Sequence, residues 1–240
     1  MAESHRRTID LLGTTVEYNV CHSADATEPR IDVDIHGITV VVPVSEEVQP
    51  MALLEENAAW VIDKQRRYDN YREQAPDRTF EAGECFPVLG DDRELVIESR
   101  QSHELTQTSI RLRVSAVEQS SVEQALENFY RSRARDYLTD RVDQYAEQMD
   151  VGYETIELRN QRTRWGSCST GGTISLNWRL IMAPPAVIDY LVVHELAHLL
   201  EQHHGRTFWR TVEEYVPDYK AKAHWLEENS AQLIFSNGDL

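Results

Sequence analysis

HELAHLLEQHHGRTFW, residues 194–209, sets four histidines in a leucine-rich run. His194 and His198 are four apart. On an α-helix such residues differ by only about 40° around the axis, one turn apart. Both imidazoles can then reach one Zn2+ at roughly 2.0–2.1 Å. Glu195 stands beside His194, and its longer side chain ends past the ligand positions, where it can take a proton from a metal-activated water. Leu191, Val192, Val193, Leu196, Ala197, Leu199 and Leu200 give the rest of the helix an apolar surface to bury. The expected helix runs over roughly 186–203 after Pro184 and Pro185. H-E-x-x-H recurs by chance, and the alternative is a pair of hydrogen-bonded helical histidines. A glutamate turned into the core between them would then be costly, which favours the metal site.

The third ligand must come from elsewhere. A continued helix would place His203 about 140° and His204 about 240° from His198, both facing away. The helix therefore has to break, and Gly205 is the residue expected to adopt positive φ just past its end. The spacing from His198 to His204 matches the metzincin pattern H-E-x-x-H-x-x-G-x-x-H, with Glu201 in place of its glycine. A carboxylate from the next helix, Glu213 or Glu214, would instead make a His2Glu site. His204 is the preferred third ligand on these grounds, with His203 and the two glutamates left open.

Working outward, Ile31, Val33 and Ile35 alternate with Asp32 and Asp34. His36-Gly37 and ITVVV follow, which predicts a hairpin. One earlier strand is expected within 8–20. Pro50 opens a helix to about residue 74, with Leu53, Leu54, Ala58, Val61 and Ile62 at helical spacing. Strands follow around 79–88, 93–99 and 107–116. Ser120 and Glu123 form a capping box before a helix at 121–149. Its stripe is Val122, Leu126, Phe129, Ala134, Leu138, Val142, Tyr145 and Met149. Strands near 153–159 and 173–177 frame RTRWGSCSTGG, and two short helices run to about 230. No internal repeat is visible. The order is that of an α+β protein, β-rich first and helical second. Residues 1–118 read as a β-rich accessory region with one helix and 119–240 as the catalytic part, with a soft boundary.

Composition narrows the classes. Over 240 residues the formal net charge is −17, and the 24 basic residues include only three lysines, Lys64, Lys220 and Lys222. The acid is spread along the chain, as in proteins of a salt-rich cytoplasm, where ions screen self-repulsion. Charge of this kind does not exclude a nucleic-acid partner. Cys21, Cys85 and Cys168 form no C-x-x-C pair, so neither a disulfide framework nor a DNA-targeting zinc ribbon is expected. MAESHRRTID has no apolar h-region, and no apolar run approaches the roughly 20 residues of a membrane helix. The expectation is a soluble, cytoplasmic chain.

The run RWGSCSTGGTISLNWRLIMAPPAVIDYLVVHELAHLLEQHHGRTFW resembles the YgjP-like metallopeptidase family, zincin-fold predicted metal-dependent hydrolases related to SprT-like proteases. The RWGSCS box, the LNWRL strand, the P-x-x-V-I-D-Y lead-in, H-E-L-x-H and the terminal H-x-x-x-F-W carry the likeness. It implies a zincin-like helical unit with a small antiparallel sheet, His194, His198 and His204 as zinc ligands, and Glu195 as catalytic base. Position 203 usually looks like Asn in the family, so His203 is a departure.

Other residues have two readings each. Strand 173–177, TISLN, is either an edge that receives an extended peptide or an ordinary half-buried strand. Trp165 and Trp178 line a cleft or, more in keeping with aromatic packing, belong to the core. Asn177 and Arg179 are candidates for holding substrate or supporting groups. His203 or Tyr215 is a candidate for stabilising an oxyanion. Cys168 reads as a small buried residue in preference to a thiolate that blocks the metal, and His224 as a surface or structural residue. The leading expectation is a zinc-dependent metallopeptidase acting on a peptide or protein. One rival is a metal-dependent nucleotide pyrophosphohydrolase, for which Arg162 and Arg164 beside Gly-Ser-rich 166–172 would cradle phosphate. Another is a non-catalytic zinc-stabilised binding module.

Overall fold

Leu12 and Gly13 both take positive φ, 52° and 80°. This is the backbone twist that suits a two-residue hairpin. In the computed structural model, which describes residues 7–24, 26–34, 37–44, 48–161 and 164–236, they join β1 (Arg7–Leu11) to β2 (Thr14–Ser23). The single strand expected within 8–20 is therefore a hairpin. β3 (Arg30–Asp34) and β4 (Gly37–Pro43) pair antiparallel. The expected turn residue His36 lies outside the described residues. β2 and β4 run parallel, so the order is β1-β2-β4-β3. Val16, Tyr18, Ile38, Val40 and Val42 share a core with Leu54, Ala58, Val61 and Ile62 of α1 (Pro50–Glu56) and α2 (Ala58–Gln74). The one helix expected here breaks at Asn57, whose side-chain amide donates to Leu53 O at 2.9 Å. Asn competes in this way for backbone groups that would otherwise extend a helix.

The same plan then recurs. β5 (Cys85–Val88), β6 (Asp91–Glu98), β7 (Glu104–Leu105) and β8 (Ser109–Arg113) form a sheet of order β5-β6-β8-β7. Its central pair is parallel and its outer pairs antiparallel, as before. Its first hairpin turns on Leu89 and Gly90 at φ 53° and 83°. A short helix, α3 (Val114–Gln119), and a long one, α4 (Val122–Met149), follow. The chain thus contains a topological repeat that its residues do not advertise, because a strand needs only alternating apolar positions to hold its place.

By internal contacts the chain divides into two compact units, Met1–Ala75 and Pro76–Asp239. The strands β5–β8, expected with the accessory region, fall in the second unit. Phe86, Val88, Leu95, Ile110 and Leu112 share one core with α4.

In the second unit α4 is capped by Ser121, whose Oγ accepts from Gln124 N at 3.1 Å. The cap is thus one residue later than the expected Ser120–Glu123 box. Leu126, Tyr130, Ala134, Leu138, Val142 and Ala146, every fourth residue, are buried. That ridge packs on a 3-10 turn, Trp178–Met182, and on α5 (Pro185–Ala197). Arg141 Nε donates to Asp189 Oδ1 at 2.7 Å, joining α4 to α5. A three-stranded sheet of β9 (Thr155–Arg159), β10 (Gly166–Cys168) and β11 (Thr173–Asn177) has the order β10-β11-β9. β11 pairs antiparallel with β10 but parallel with β9, so the expected antiparallel sheet is mixed. TISLN is its centre, and β10, one of its two edge strands, packs beside α5. α6 (Arg206–Tyr215), α7 (Tyr219–Asn229) and a closing 3-10 turn at Ser230–Leu233 complete this α+β unit. No described helix is long and apolar enough to cross a membrane.

Candidate metal centre

α5 is apolar nearly all round, with Val187, Ile188, Tyr190, Leu191, Val192, Val193, Leu196 and Ala197 buried. Such a helix is held by burial on every side. It ends at Ala197, earlier than the expected 203. From there the bonds tighten to three-residue steps: His198 N to Glu195 O at 3.3 Å, Leu199 N to Leu196 O at 3.0 Å, Leu200 N to Ala197 O at 3.1 Å. This tightening is a common way for a last turn to satisfy its carbonyls. Gly205 does not adopt the expected positive φ. Its φ is −79° and it stands at the N-cap of α6. The reversal is made by a tight turn centred on His204, with Gly205 N donating to His203 O at 2.6 Å.

That turn swings His204 back over α5. The ligand atoms of His194, His198 and His204 all lie within 4.8 Å of one another, so the three can hold a metal ion. Nε2 of His194 and Nε2 of His204 are 3.1 Å apart. Nδ1 of His198 lies 3.2 Å from Glu201 O, which leaves its Nε2 for the centre. A backbone partner of this kind orients a ligating imidazole. Nδ1 of His194 is buried without a partner among the described residues, so that ring is oriented by packing.

The packing comes from the first turns of α6. Phe208 is fully buried, with its ring centroid 4.9 Å from that of His194, 4.6 Å from His198 and 4.7 Å from His204. Trp209 stacks on His204 at 5.6 Å and 26°, and Tyr219 stacks on Trp209 at 5.1 Å and 14°. The most exposed ligand therefore rests on a two-ring column. These supports went unassigned from sequence, although the H-x-x-x-F-W ending already held Phe208 and Trp209.

Electrostatics prepare the rings for a cation. Burial, helped by the nearby His198 and His204 rings, pushes His194 down to about 4. Burial also lowers His198, against the pull of Glu201 O. A ligand imidazole must be neutral, and these two stay so at neutral pH. The facing Nε2 atoms of His194 and His204, 3.1 Å apart, need a shared proton or cation between them. The all-imidazole set fits a first-row divalent metal.

Glu195 is only 4% exposed, and burial raises its carboxyl to about 8, with Arg164 lowering it. Cys168 is half-buried, on the strand face that looks at this carboxylate. Burial and then Glu195 push its thiol up to about 11. Tyr190 is raised by burial and by Glu195.

The remaining candidates are placed elsewhere. Asn177 and Arg179 are 1% and 2% exposed. Asn177 Nδ2 and Arg179 Nη2 both donate to Gln161 O, at 2.7 and 2.9 Å. The Arg179 guanidinium lies 5.4 Å over Trp165, whose Nε1 donates to Ser230 Oγ at 2.9 Å. Asn177 and Arg179, candidates for holding substrate or supporting groups, thus turn inward to Gln161 O, and Trp165 packs partly buried against the core. Trp178 is fully buried in the core. His203 is exposed and outside the histidine cluster, as are Glu213 and Glu214. The Tyr215 hydroxyl donates to Gln148 O at 3.3 Å. His224 is exposed beside Glu228. Arg162 lies outside the described residues.

The family model for the YgjP-like metallopeptidase domain matches residues 27–229. Among solved structures, the metallopeptidase zymogen jannalysin of Methanocaldococcus jannaschii is 18% identical. The match covers 36% of this chain and 93% of that one, with a TM-score of 0.32. The zymogen abylysin of Pyrococcus abyssi is 20% identical over 40% of this chain and 99% of its own, with a TM-score of 0.34. None of the curated proteins compared matches this chain. With most of its length under the family model and three histidines gathered at one point, the chain belongs to the YgjP-like metallopeptidase family.

Proposed function

We propose that the chain is a zinc-dependent peptidase with His194, His198 and His204 as ligands and Glu195 as general base. The observation that carries this reading is the convergence of three histidines, two held neutral by burial, beside a nearly buried carboxylate. Zinc, when bound, supplies Lewis acidity that polarises a carbonyl and acidifies a water. With a cation held beside it, the Glu195 carboxyl gives up the proton that burial retains; as a carboxylate it takes the proton from the attacking water and returns it to the leaving nitrogen. Burial keeps bulk water from competing for that proton.

The substrate chain lies along β10. Trp165 O accepts from Asn177 N, and Ser169 N donates to Thr173 O. In an antiparallel ladder the alternate residues, Gly166 and Cys168, then turn their N–H and C=O groups away from β11. An open edge of this kind accepts an extended peptide. Of the two arginines in the nucleotide reading, Arg164 is among the described residues, beside 166–172.

Purified protein is assayed with casein and with a nucleotide panel, alongside Glu195→Gln. Casein cleavage that disappears in the variant while zinc content persists is the expected result. Nucleotide turnover lost in the variant, with casein untouched, would overturn the proposal. No turnover in any assay, by wild type and Glu195→Gln alike, would point instead to a binding module.

A further inference from the structure

Gly166 is a glycine whose backbone does not ask for one. Its φ is not among the positive values seen at Gly13, Gly37, Gly83, Gly90 and Gly172. It sits in a regular strand paired with Leu176. The reason for glycine is therefore spatial. A Cβ at this position would lie 2.5 Å from Oε1 of Glu195 and 2.8 Å from its Cδ and Cγ. At Gly152, by contrast, a Cβ would meet nothing within 4 Å, and at Gly205 its only neighbour would be 3.9 Å away.

We propose that Gly166 is a positioning residue, whose missing side chain is the space in which the Glu195 carboxylate stands. The inference rests on the reading of Glu195 as general base. Three observations say which side would yield if the space were filled. β10 is fixed at both ends, by Asn177 N on Trp165 O at 2.8 Å and by Ser169 N on Thr173 O at 3.0 Å. Trp165 is further tied to Ser230 Oγ and lies under Arg179. α5 is buried on nearly all sides. Neither backbone can retreat, so the flexible glutamate side chain moves. To reach an ordinary contact of 3.4 Å from 2.5 Å, Oε1 has to shift by about 0.9 Å. A displacement of that size is enough to cost about a hundred-fold in rate.

The test is Gly166→Ala and Gly166→Ser in the full chain, with metal content, kcat, KM and melting temperature measured. Melting temperature is also read on metal-free protein in a Glu195→Ala background. Gly166→Ala is expected to keep its metal and its KM while kcat falls about a hundred-fold, with Gly166→Ser lower still. It is expected to lower the melting temperature when Glu195 is present and to leave it unchanged in the Glu195→Ala background, where the added methyl has room. If Gly166→Ala does not fold, the double variant must. Full kcat in Gly166→Ala, loss of its metal, or an equal drop in melting temperature in both backgrounds would overturn the proposal. The melting cycle needs no activity, so it reads the contact even if Glu195→Gln proves active and the peptidase reading fails.

Discussion

Nε2 of His194 and Nε2 of His204 stand 3.1 Å apart across a ten-residue sequence separation. Two corners of a tetrahedral site with metal–nitrogen bonds of roughly 2.0–2.1 Å are about 3.3 Å apart. The fold brings the two nitrogens to nearly that spacing.

His204→Ala is therefore expected to bind metal far more weakly than wild type, while His203→Ala keeps wild-type content, since His203 lies outside the cluster. Metal analysis of the dialysed proteins decides between them. Retention of metal by His204→Ala together with its loss from His203→Ala would reassign the ligand.

Phe208 touches all three imidazoles and is fully buried. Phe208→Ala is expected to destabilise the protein by about 3–5 kcal/mol. It should also weaken metal binding, because the rings lose their common wall. Phe208→Leu should cost less in both. Urea denaturation and competitive metal titration measure the two effects, and weakened stability with unaltered metal affinity would show that the wall does not order the ligands.

With its thiol pushed up to about 11, Cys168 holds its proton at neutral pH. At pH 8 only about one thiol in a thousand is the reactive thiolate. A disulfide reagent at pH 8 should consume the exposed Cys21 and Cys85 quickly and Cys168 slowly. The slow rate should climb about tenfold per pH unit towards pH 11. The sign for stability is the same: the folded state keeps this proton more tightly than the unfolded chain, so raising the pH through this range removes stability. Equal rates for all three cysteines at pH 8 would contradict the assignment.

Leu12 is 75% exposed and held at φ 52°. An L-residue pays roughly 1–2 kcal/mol in that region, and Asn pays less. Leu12→Asn creates the Asn-Gly pair preferred for this hairpin. It is expected to stabilise the first unit by about 1 kcal/mol, read as a higher urea midpoint at unchanged slope. A lower midpoint would mean that the leucine has a packing role.

Legibility followed sequence distance. The α4 stripe, the β3–β4 pairing and the common face of His194 and His198 are set by neighbours three or four residues apart, or two apart in a strand. Those relations are written in the residues themselves. The repeat of two four-stranded sheets was missed because its conserved content is topology and a Leu-Gly turn, and Leu is not a residue that announces positive φ. Asn177 and Arg179 have the chemistry of a binding surface, but both turn inward to Gln161 O.

By itself the sequence determined that one helix carries two imidazoles and a carboxylate on neighbouring positions, since a 3.6-residue period leaves no choice in the matter. It also required that helix to break before a third histidine could join. Only the tertiary structure decided how. The break comes at Ala197, the reversal is a turn at His204, Gly205 keeps ordinary φ, and Phe208 with the Trp209–Tyr219 column holds the returning ring. It also decided that β10, not β11, is the edge beside α5, and that Gly166 faces Glu195. These are contacts between segments distant in the chain, chosen by how the elements pack against one another, and no local pattern encodes them.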